Sequence, residues 1–192
     1  MKKYFCMFLI LMCANVFPFR TAAAAAAASD KYLITEKGVG DFVLGERIPA
    51  SAEGFEITEE KQPGGEGEDE TVYVVSEKGE KALELMPDYP DDTKIFQIMI
   101  FSDGFHTEEG IKVGASLEDL VEAYRQYSLW YTYIGDMYVF EVEGRSGTQF
   151  LLDSESFVGK QDLYSGDSVA LSLEDFKSAT KITSIRIYRS HE

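Results

Sequence analysis

Cysteine and histidine are scarce in this sequence. The two cysteines, Cys6 and Cys13, both lie close to the N-terminus, and the two histidines are His106 and His191. Because the rest of the chain has no thiol, disulfides, cysteine nucleophiles and cysteine–zinc sites are excluded there. A structural zinc site usually needs three or four His or Cys ligands, so we predict no resident metal and no cofactor.

Basic side chains are also scarce relative to acidic ones. The chain has 18 Lys and Arg against 34 Asp and Glu, which gives a formal net charge of −16. A protein that binds nucleic acid through phosphates needs clustered Lys and Arg, so nucleic acid is excluded as a partner. The hydrophobic fraction of 45% and the aromatic fraction of 13% exclude a disordered chain and indicate a packed domain.

Recognisable catalytic motifs are missing as well. No G-x-S-x-G elbow is present to hold a nucleophilic serine, and the glycines at 38–40 are not followed by the third glycine of G-x-G-x-x-G. His106 lies in a predicted loop after a strand, which indicates a surface histidine. We therefore predict a non-enzymatic protein. The alternative is a carboxylate-dependent extracytoplasmic hydrolase, since many acidic pairs are available.

The N-terminus has the three-part layout of a secretory signal. Lys2 and Lys3 precede an apolar run at 4–17, and an alanine tract follows at 22–28. The run is shorter than the roughly 20 apolar residues that a membrane-spanning helix needs. We predict that residues 1–28 are a signal peptide cleaved near the Ala28–Ser29 bond, and that the protein is periplasmic or extracellular.

Lipid anchoring through Cys13 is not favoured by the sequence. A lipoprotein signal places its cysteine behind a small residue, whereas Cys13 follows Met12. Loss of residues 1–28 removes three basic side chains and no acidic one, which leaves 15 against 34 and a charge of −19. The remaining 164 residues suit a single domain.

Two segments share the pattern T-K-I-x-x-I-x-I-aromatic, at 93–101 and at 180–188. Their density of β-branched residues is typical of strands. A glycine-framed segment lies upstream of each, at 38–45 and at 110–114. The shared order of these markers indicates a duplicated unit, and coincidence between two ordinary strands is the alternative.

The predicted fold is a single α+β domain over 29–192. It has an antiparallel sheet built from two related halves, about 38–101 and 110–188, with one main helix at 116–127 packed on a face. The predicted strands are Phe55–Glu59, Thr71–Glu77, Lys81–Met86, Thr93–Ser102, Leu129–Ile134, Met137–Glu143, Thr148–Asp153 and Thr180–Arg189.

The start of the main helix has a clear signature. Ser116 is followed three residues later by Asp119, which is the spacing of a capping box. Leu117, Leu120 and Val121 then follow helical spacing and give the helix an apolar face. We predict one continuous core that contains Ile98, Ile100, Leu117, Leu120, Ile185 and Ile187.

A strand pattern and a glycine motif follow one another in the middle of the chain. The pattern I-x-x-I-x-I at 95–100 runs into T-x-x-G-I-x-V-G-x-S at 107–116, downstream of the glycine frame at 38–45. In these features the chain resembles uncharacterised secreted bacterial domains of unknown function. Its repeated helix-plus-sheet plan is similar to the β-lactamase-inhibitor-like architecture, which is found in secreted inhibitors and envelope assembly proteins.

Calcium is the inorganic partner that so acidic a secreted chain can attract. Carboxylates are grouped at 66–70 and at 88–92. Neither group has the EF-hand spacing, and a solvated acidic surface is the simpler interpretation, so we predict no calcium site.

The region around Gly135 and Asp136 is predicted to be a hairpin with a two-residue loop. This loop pairs Ile134 with Met137, Thr132 with Val139, and Trp130 with Glu141. The opposite face is bulky and is predicted to be core: Leu129, Tyr131, Tyr133, Tyr138, Phe140 and Val142.

The mixed face of this hairpin contains the single tryptophan of the chain. Trp and Met are enriched at protein interfaces. We therefore predict that Trp130, Met137 and Val139 bind a partner, an unknown protein or envelope component. Coverage of Trp130 by other parts of the chain is the alternative.

Overall fold

The structure is a computed structural model that describes residues 30–64, 69–89, 92–145 and 147–189. The predicted signal segment and the cleavage site lie outside the described residues. Within these ranges, no helix has the length and hydropathy needed to cross a membrane.

The described residues form one α-helix, three short 3₁₀ helices and twelve strands. The α-helix is α1 (Leu117–Ala123), and the 3₁₀ helices are Asp30–Tyr32, Ser154–Ser156 and Leu173–Asp175. The strands are β1 (Ile34–Thr35), β2 (Gly38–Val39), β3 (Phe42–Val43), β4 (Glu56–Pro63), β5 (Asp69–Glu77), β6 (Glu80–Pro87), β7 (Ile95–Ile100), β8 (Tyr127–Thr132), β9 (Met137–Val142), β10 (Thr148–Leu152), β11 (Val169–Leu171) and β12 (Ile182–Tyr188).

Nine strands build one antiparallel sheet in the order β11-β8-β9-β10-β12-β7-β6-β5-β4, and β1 to β3 form a small second sheet. All eight predicted strands are present in the large sheet. The fold is nevertheless richer in β-structure than the predicted α+β class, because the described residues contain a single α-helix of seven residues. The protein is mostly antiparallel sheet with that helix packed on one face.

The matched T-K-I segments meet at the centre of the sheet. β7 pairs with β12, so that Ile98 lies opposite Ile187 and Ile100 lies opposite Ile185. On one side β7 continues the meander β4-β5-β6-β7, and on the other β12 continues β8-β9-β10. Each half therefore contributes its T-K-I strand to the central pair.

The glycine frames occupy similar places beside these two strands. The Gly45 N–H donates to the Ile95 carbonyl at 2.7 Å, and the Gly114 N–H donates to the Ile182 carbonyl at 2.9 Å. Ile95 and Ile182 are the same position of the shared pattern. An origin of the two halves by duplication stays a prediction.

The start of α1 agrees with its sequence signature, whereas the helix ends earlier than predicted. The Ser116 hydroxyl accepts from the Asp119 N–H at 3.1 Å, and Asp119 Oδ2 accepts from the Ser116 N–H at 2.7 Å. The predicted helix to residue 127 stops at Ala123 because Tyr124 has an extended backbone (φ −124°, ψ 110°). The Tyr124 ring packs against Phe140 and Phe150, and the chain then enters β8.

One face of the large sheet carries the core. The six residues predicted to share a core belong to one buried cluster, which confirms that prediction. α1 contributes Leu117 and Leu120 to this cluster, and the N-terminal segment contributes Ile34, Val39 and Phe42. We call this covered side of the sheet the inner face.

The hairpin β8–β9 has a different register from the one predicted. Its loop spans four residues, 133–136, and Trp130 lies opposite Val139 while Thr132 lies opposite Met137. The turn forms earlier because the Asp136 N–H donates to the Tyr133 carbonyl at 3.3 Å. A shift of two residues leaves every strand residue on its predicted face, since side chains alternate with a period of two.

Candidate functional site: the open face of the sheet

None of the described residues on the second side of the large sheet belongs to the buried apolar cluster. We call this side the open face. It carries the three methionines found after residue 28 and the single tryptophan, together with an arginine and a tyrosine: Met86, Met99, Trp130, Met137, Arg186 and Tyr188. All six of these side chains are half-buried. The open face thus gathers apolar, polarizable and aromatic groups, alongside carboxylates such as Glu84 and Glu141.

Strand alternation places these side chains together. Met99 and Arg186 are directly opposite in the β7–β12 pair, while Ile98 and Ile100 on either side of Met99 point to the inner face. Met86 and Gln97 are opposite in the β6–β7 pair, and the Gln97 amide lies 2.8 Å from Met86 Sδ. The two strands that supply the centre of the core therefore also supply the centre of the open face.

Trp130 is fixed at one side of the open face by a hydrogen bond. Its Nε1–H donates to Glu141 Oε2 at 3.2 Å. The indole is half-buried, so part of it is in contact with solvent. Its position fits an interfacial side chain, with an apolar ring at the surface and a partnered polar group.

Arg186 lies near the middle of the open face. Its Nε donates to Gln149 Oε1 at 2.9 Å, its Nη2 donates to the same oxygen, and its Nη1 lies 3.6 Å from Met137 Sδ. The guanidinium carbon is 5.5 Å from the centroid of the Tyr188 ring. Burial lowers the pKa of Arg186, although the charges of Tyr188 and Glu141 act in the opposite direction. The group remains cationic at neutral pH.

The predicted binding residues divide into two groups. Trp130 and Met137 lie on the open face and are half-buried, whereas Val139 is 0% exposed. Including Val139 in a contact surface was wrong, because it lies in a central strand between Trp130 on β8 and Leu151 on β10. Partner binding by Trp130 and Met137 stays a prediction.

The tip of the hairpin adds a second exposed apolar patch. Tyr133 was predicted to be core but lies in the loop and is 46% exposed, and the neighbouring Ile134 is 63% exposed. The Tyr133 hydroxyl donates to Asp167 Oδ1 at 3.2 Å. Tyr164, which is 77% exposed, lies edge-on to the Tyr131 ring at 6.4 Å. The tip therefore widens the apolar surface of the hairpin.

Further concavities lie outside the open face. An apolar groove of about 460 Å³ runs between α1 and the 3₁₀ helix Leu173–Asp175, lined by Val121 and Phe176 among others. A polar pocket of about 350 Å³ brings Glu59 and Asp92 to one concavity with Arg47 and Tyr73. Carboxylates also line a larger pocket of about 630 Å³, which includes Asp103, Glu109 and Glu122. The polar pocket around Glu59 is therefore one of the places where the alternative carboxylate chemistry could occur.

His106 lies beside the N-terminal segment of the described chain, where it bridges Leu33. His106 pairs through its backbone with the N-terminal segment, because its N–H donates to the Tyr32 carbonyl at 3.0 Å. In the parts of the chain that the structure describes, no group of three His, Cys, Asp or Glu side chains could hold a metal ion. The acidic segments at 66–70 and 88–92 extend beyond the described residues.

Met99 and Arg186 are site residues that sequence reasoning missed. Both interrupt the isoleucines of the T-K-I strands at the same position of the pattern. Strict alternation in a strand puts such residues on the face opposite to the core. This alternation was the signal available in the sequence. It did not show that Met99 and Arg186 lie side by side, which follows from the pairing of β7 with β12.

Comparison with known proteins reveals a shared fold and no family. One similar solved structure is the crystal structure of the uncharacterized protein yfeY from Escherichia coli, with a TM-score of 0.57 and 18% sequence identity. The match covers 83% of this chain and 99% of the other. No protein family matches the sequence, and no curated protein matches it. The likeness shows the fold alone, and the resemblance to β-lactamase-inhibitor-like proteins stays a prediction.

Proposed function

We propose that the protein is exported and acts as a non-enzymatic module that binds a protein or an envelope component through the open face. The observation that carries the proposal is the concentration of Trp130, Met99, Met137 and Arg186 on one side of the sheet. Trp, Tyr, Met and Arg are the residue types enriched at protein interfaces. Methionine side chains also adapt their shape to a partner surface.

Export rests on the sequence of residues 1–28. A basic start, a short apolar run and a small-residue tract are the features that direct a chain through a secretory pathway. The mature form starts near Ser29, carries no lipid on Cys13 and resides in the periplasm or outside the cell. Intact-mass analysis of the exported protein is the direct measurement, and a diacylated Cys13 or retained residues 1–28 would contradict it.

The binding proposal is tested by capture from an envelope extract with the mature protein as bait. Partners retained by the wild type are identified by mass spectrometry and purified, and their affinity is then measured for Trp130→Ala. Leu173→Ala is the matched control, because Leu173 is 40% exposed but lies beside α1, on the covered side of the sheet. We expect loss of affinity for Trp130→Ala and wild-type affinity for Leu173→Ala.

The opposite result would relocate the site. Loss with Leu173→Ala alone would place the partner in the apolar groove beside α1. The alternative hydrolase makes a different demand, since a pair of carboxylates, such as Glu59 and Asp92 in the polar pocket, would then act on a substrate. Turnover of an envelope substrate that is abolished by Glu59→Gln would overturn the non-enzymatic proposal.

A further inference from the structure

We infer that Arg186 anchors a carboxylate of the protein partner, an Asp or Glu side chain that accepts two hydrogen bonds from the guanidinium at the middle of the open face. This inference rests on the proposed function, because it assigns the partner chemistry of the same surface. A purely apolar patch could bind a partner in several orientations, whereas an ion pair with Arg186 would fix one orientation.

The count of N–H groups on Arg186 supports this assignment. A guanidinium has five N–H donors. Among the described residues, one is used by Nε and one by Nη2 on Gln149 Oε1, and one by Nη1 on Met137 Sδ. One N–H on each terminal nitrogen is left over. Two N–H groups on adjacent nitrogens form the fork that accepts a carboxylate in a bidentate pair.

The charge on Arg186 also has no direct counterion among the described residues. The described residues place no carboxylate oxygen within 4.0 Å of this guanidinium, whereas Arg145 and Arg189 each have one. Its direct contacts are a neutral amide, a thioether and an aromatic ring, and the Glu141 carboxylate acts on it only from beyond 4.0 Å. Partly buried charges are normally paired, because burial without a partner removes hydration that nothing replaces. A carboxylate from outside the chain would complete the pair.

The side chains around Arg186 favour a strong ion pair once a partner carboxylate has bound. Met137 and Tyr188 contact Arg186, are half-buried and would be covered by a bound partner. Apolar groups around a central arginine exclude water and so strengthen the hydrogen bonds that it makes. The mature charge of −19 opposes an acidic partner, although salt at about 0.15 M screens charges beyond roughly 8 Å. Glu141, two strands from Arg186 on the same face, also opposes a partner carboxylate, so the hydrogen bonds from the guanidinium must outweigh its repulsion.

The experiment uses the mature protein and a phage-displayed library of random linear peptides. Selected peptides whose binding is lost in Trp130→Ala are defined as open-face peptides and are synthesised. Each peptide is also made with its Asp or Glu replaced by Asn or Gln. Affinities for the wild type, Arg186→Gln and Arg186→Lys are then measured by calorimetry at about 0.15 M salt.

We expect open-face peptides to contain an acidic residue. Its replacement by the amide should weaken binding about tenfold or more, as should Arg186→Gln, and the two losses should not add. Arg186→Lys should recover only part of the affinity, because an ammonium lacks the fork. Peptides that bind elsewhere should be unaffected by Arg186→Gln.

Two results would overturn the inference. Open-face peptides without an acidic residue, or additive losses in the cycle, would leave the binding surface in place and remove Arg186 as its carboxylate anchor. A library that yields no Trp130-dependent peptide would overturn the proposed surface together with this inference. The amide-substituted peptides test the pair even if an Arg186 variant is poorly folded.

Discussion

Met99 lies directly opposite Arg186 across the β7–β12 pair, and each occupies the same position of its T-K-I segment. The isoleucines before and after each of them point to the inner face and are fully buried. One strand pair therefore fixes both the centre of the core and the centre of the open face. Its register sets the distance between the methionine and the arginine that a partner would contact.

The docking of α1 on the sheet predicts a large effect of truncating Leu120. This side chain is 0% exposed and belongs to the buried cluster. Leu120→Ala should lower the free energy of unfolding by about 2–5 kcal/mol, because it removes apolar contacts and leaves a cavity. Denaturant unfolding followed by circular dichroism measures the change. Glu122→Ala, on the exposed side of the same helix, should change it by less than about 0.5 kcal/mol.

Replacement of Gly147 by alanine should have a steric effect on stability, and the same replacement at Gly144 is the control that isolates it. Both Gly147 (φ +87°) and Gly144 (φ +81°) have left-handed backbones, but a Cβ on Gly147 would lie 2.3 Å from the Tyr188 carbonyl oxygen. A Cβ on Gly144 meets nothing within 4 Å. Gly144→Ala should cost roughly 1–2 kcal/mol for the backbone alone.

Gly147→Ala should cost about 3 kcal/mol or more, since it must also push β10 away from β12. Thermal unfolding of the two variants side by side measures the difference. Equal costs for the two substitutions would show that β10 and β12 do not approach so closely at this point.

The hydrogen bonds of Glu109 predict that the folded protein loses stability in acid. The Glu109 carboxylate accepts two hydrogen bonds from Arg145 and one from the Tyr124 hydroxyl at 2.8 Å. Burial acts to raise the pKa of Glu109, but the hydrogen bonds from Arg145 and Tyr124 outweigh it and lower the pKa to about 2. Burial also raises the pKa of Tyr124 to about 12, so its hydroxyl stays a donor.

A carboxylate whose pKa is lower in the folded state stabilises the fold above its unfolded pKa of about 4.3. This contribution should disappear as the pH falls from about 4.3 to about 2, where the folded protein also becomes protonated. Partial exposure of the pair reduces it to the order of 1 kcal/mol. The stability difference between wild type and Glu109→Gln, measured by urea unfolding, should shrink over this window. A constant difference would show that ionised Glu109 contributes nothing.

The sequence was sufficient for local features and for the division of strands into two faces. The capping box at Ser116 and the alternation along β8 and β9 depend on neighbours in the chain, so they were predictable. The end of α1 was not, because Tyr124 is drawn out of the helix by rings on β9 and β10. Burial of Val139 also depends on side chains from adjacent strands, whose order the sequence does not state.

The difference between Val139 and its neighbours on the open face yields the last prediction. Val139 is 0% exposed, whereas Trp130 and Met137 are half-buried on the same face. Val139→Ala should cost about 2 kcal/mol, because it removes two fully buried methyl groups. Met137→Ala should cost about 1 kcal/mol or less, since part of that side chain is already in water.

The two substitutions should then separate stability from binding. Met137→Ala should weaken an open-face peptide while the protein remains folded, because Met137 lies beside Arg186 and is accessible to a partner. Val139→Ala should leave the affinity of the folded protein near the wild-type value, because its side chain cannot touch a partner. Denaturant unfolding and calorimetry on the same preparations measure both quantities. A Val139→Ala variant that folds stably but loses affinity would show that a partner opens the sheet surface at this position.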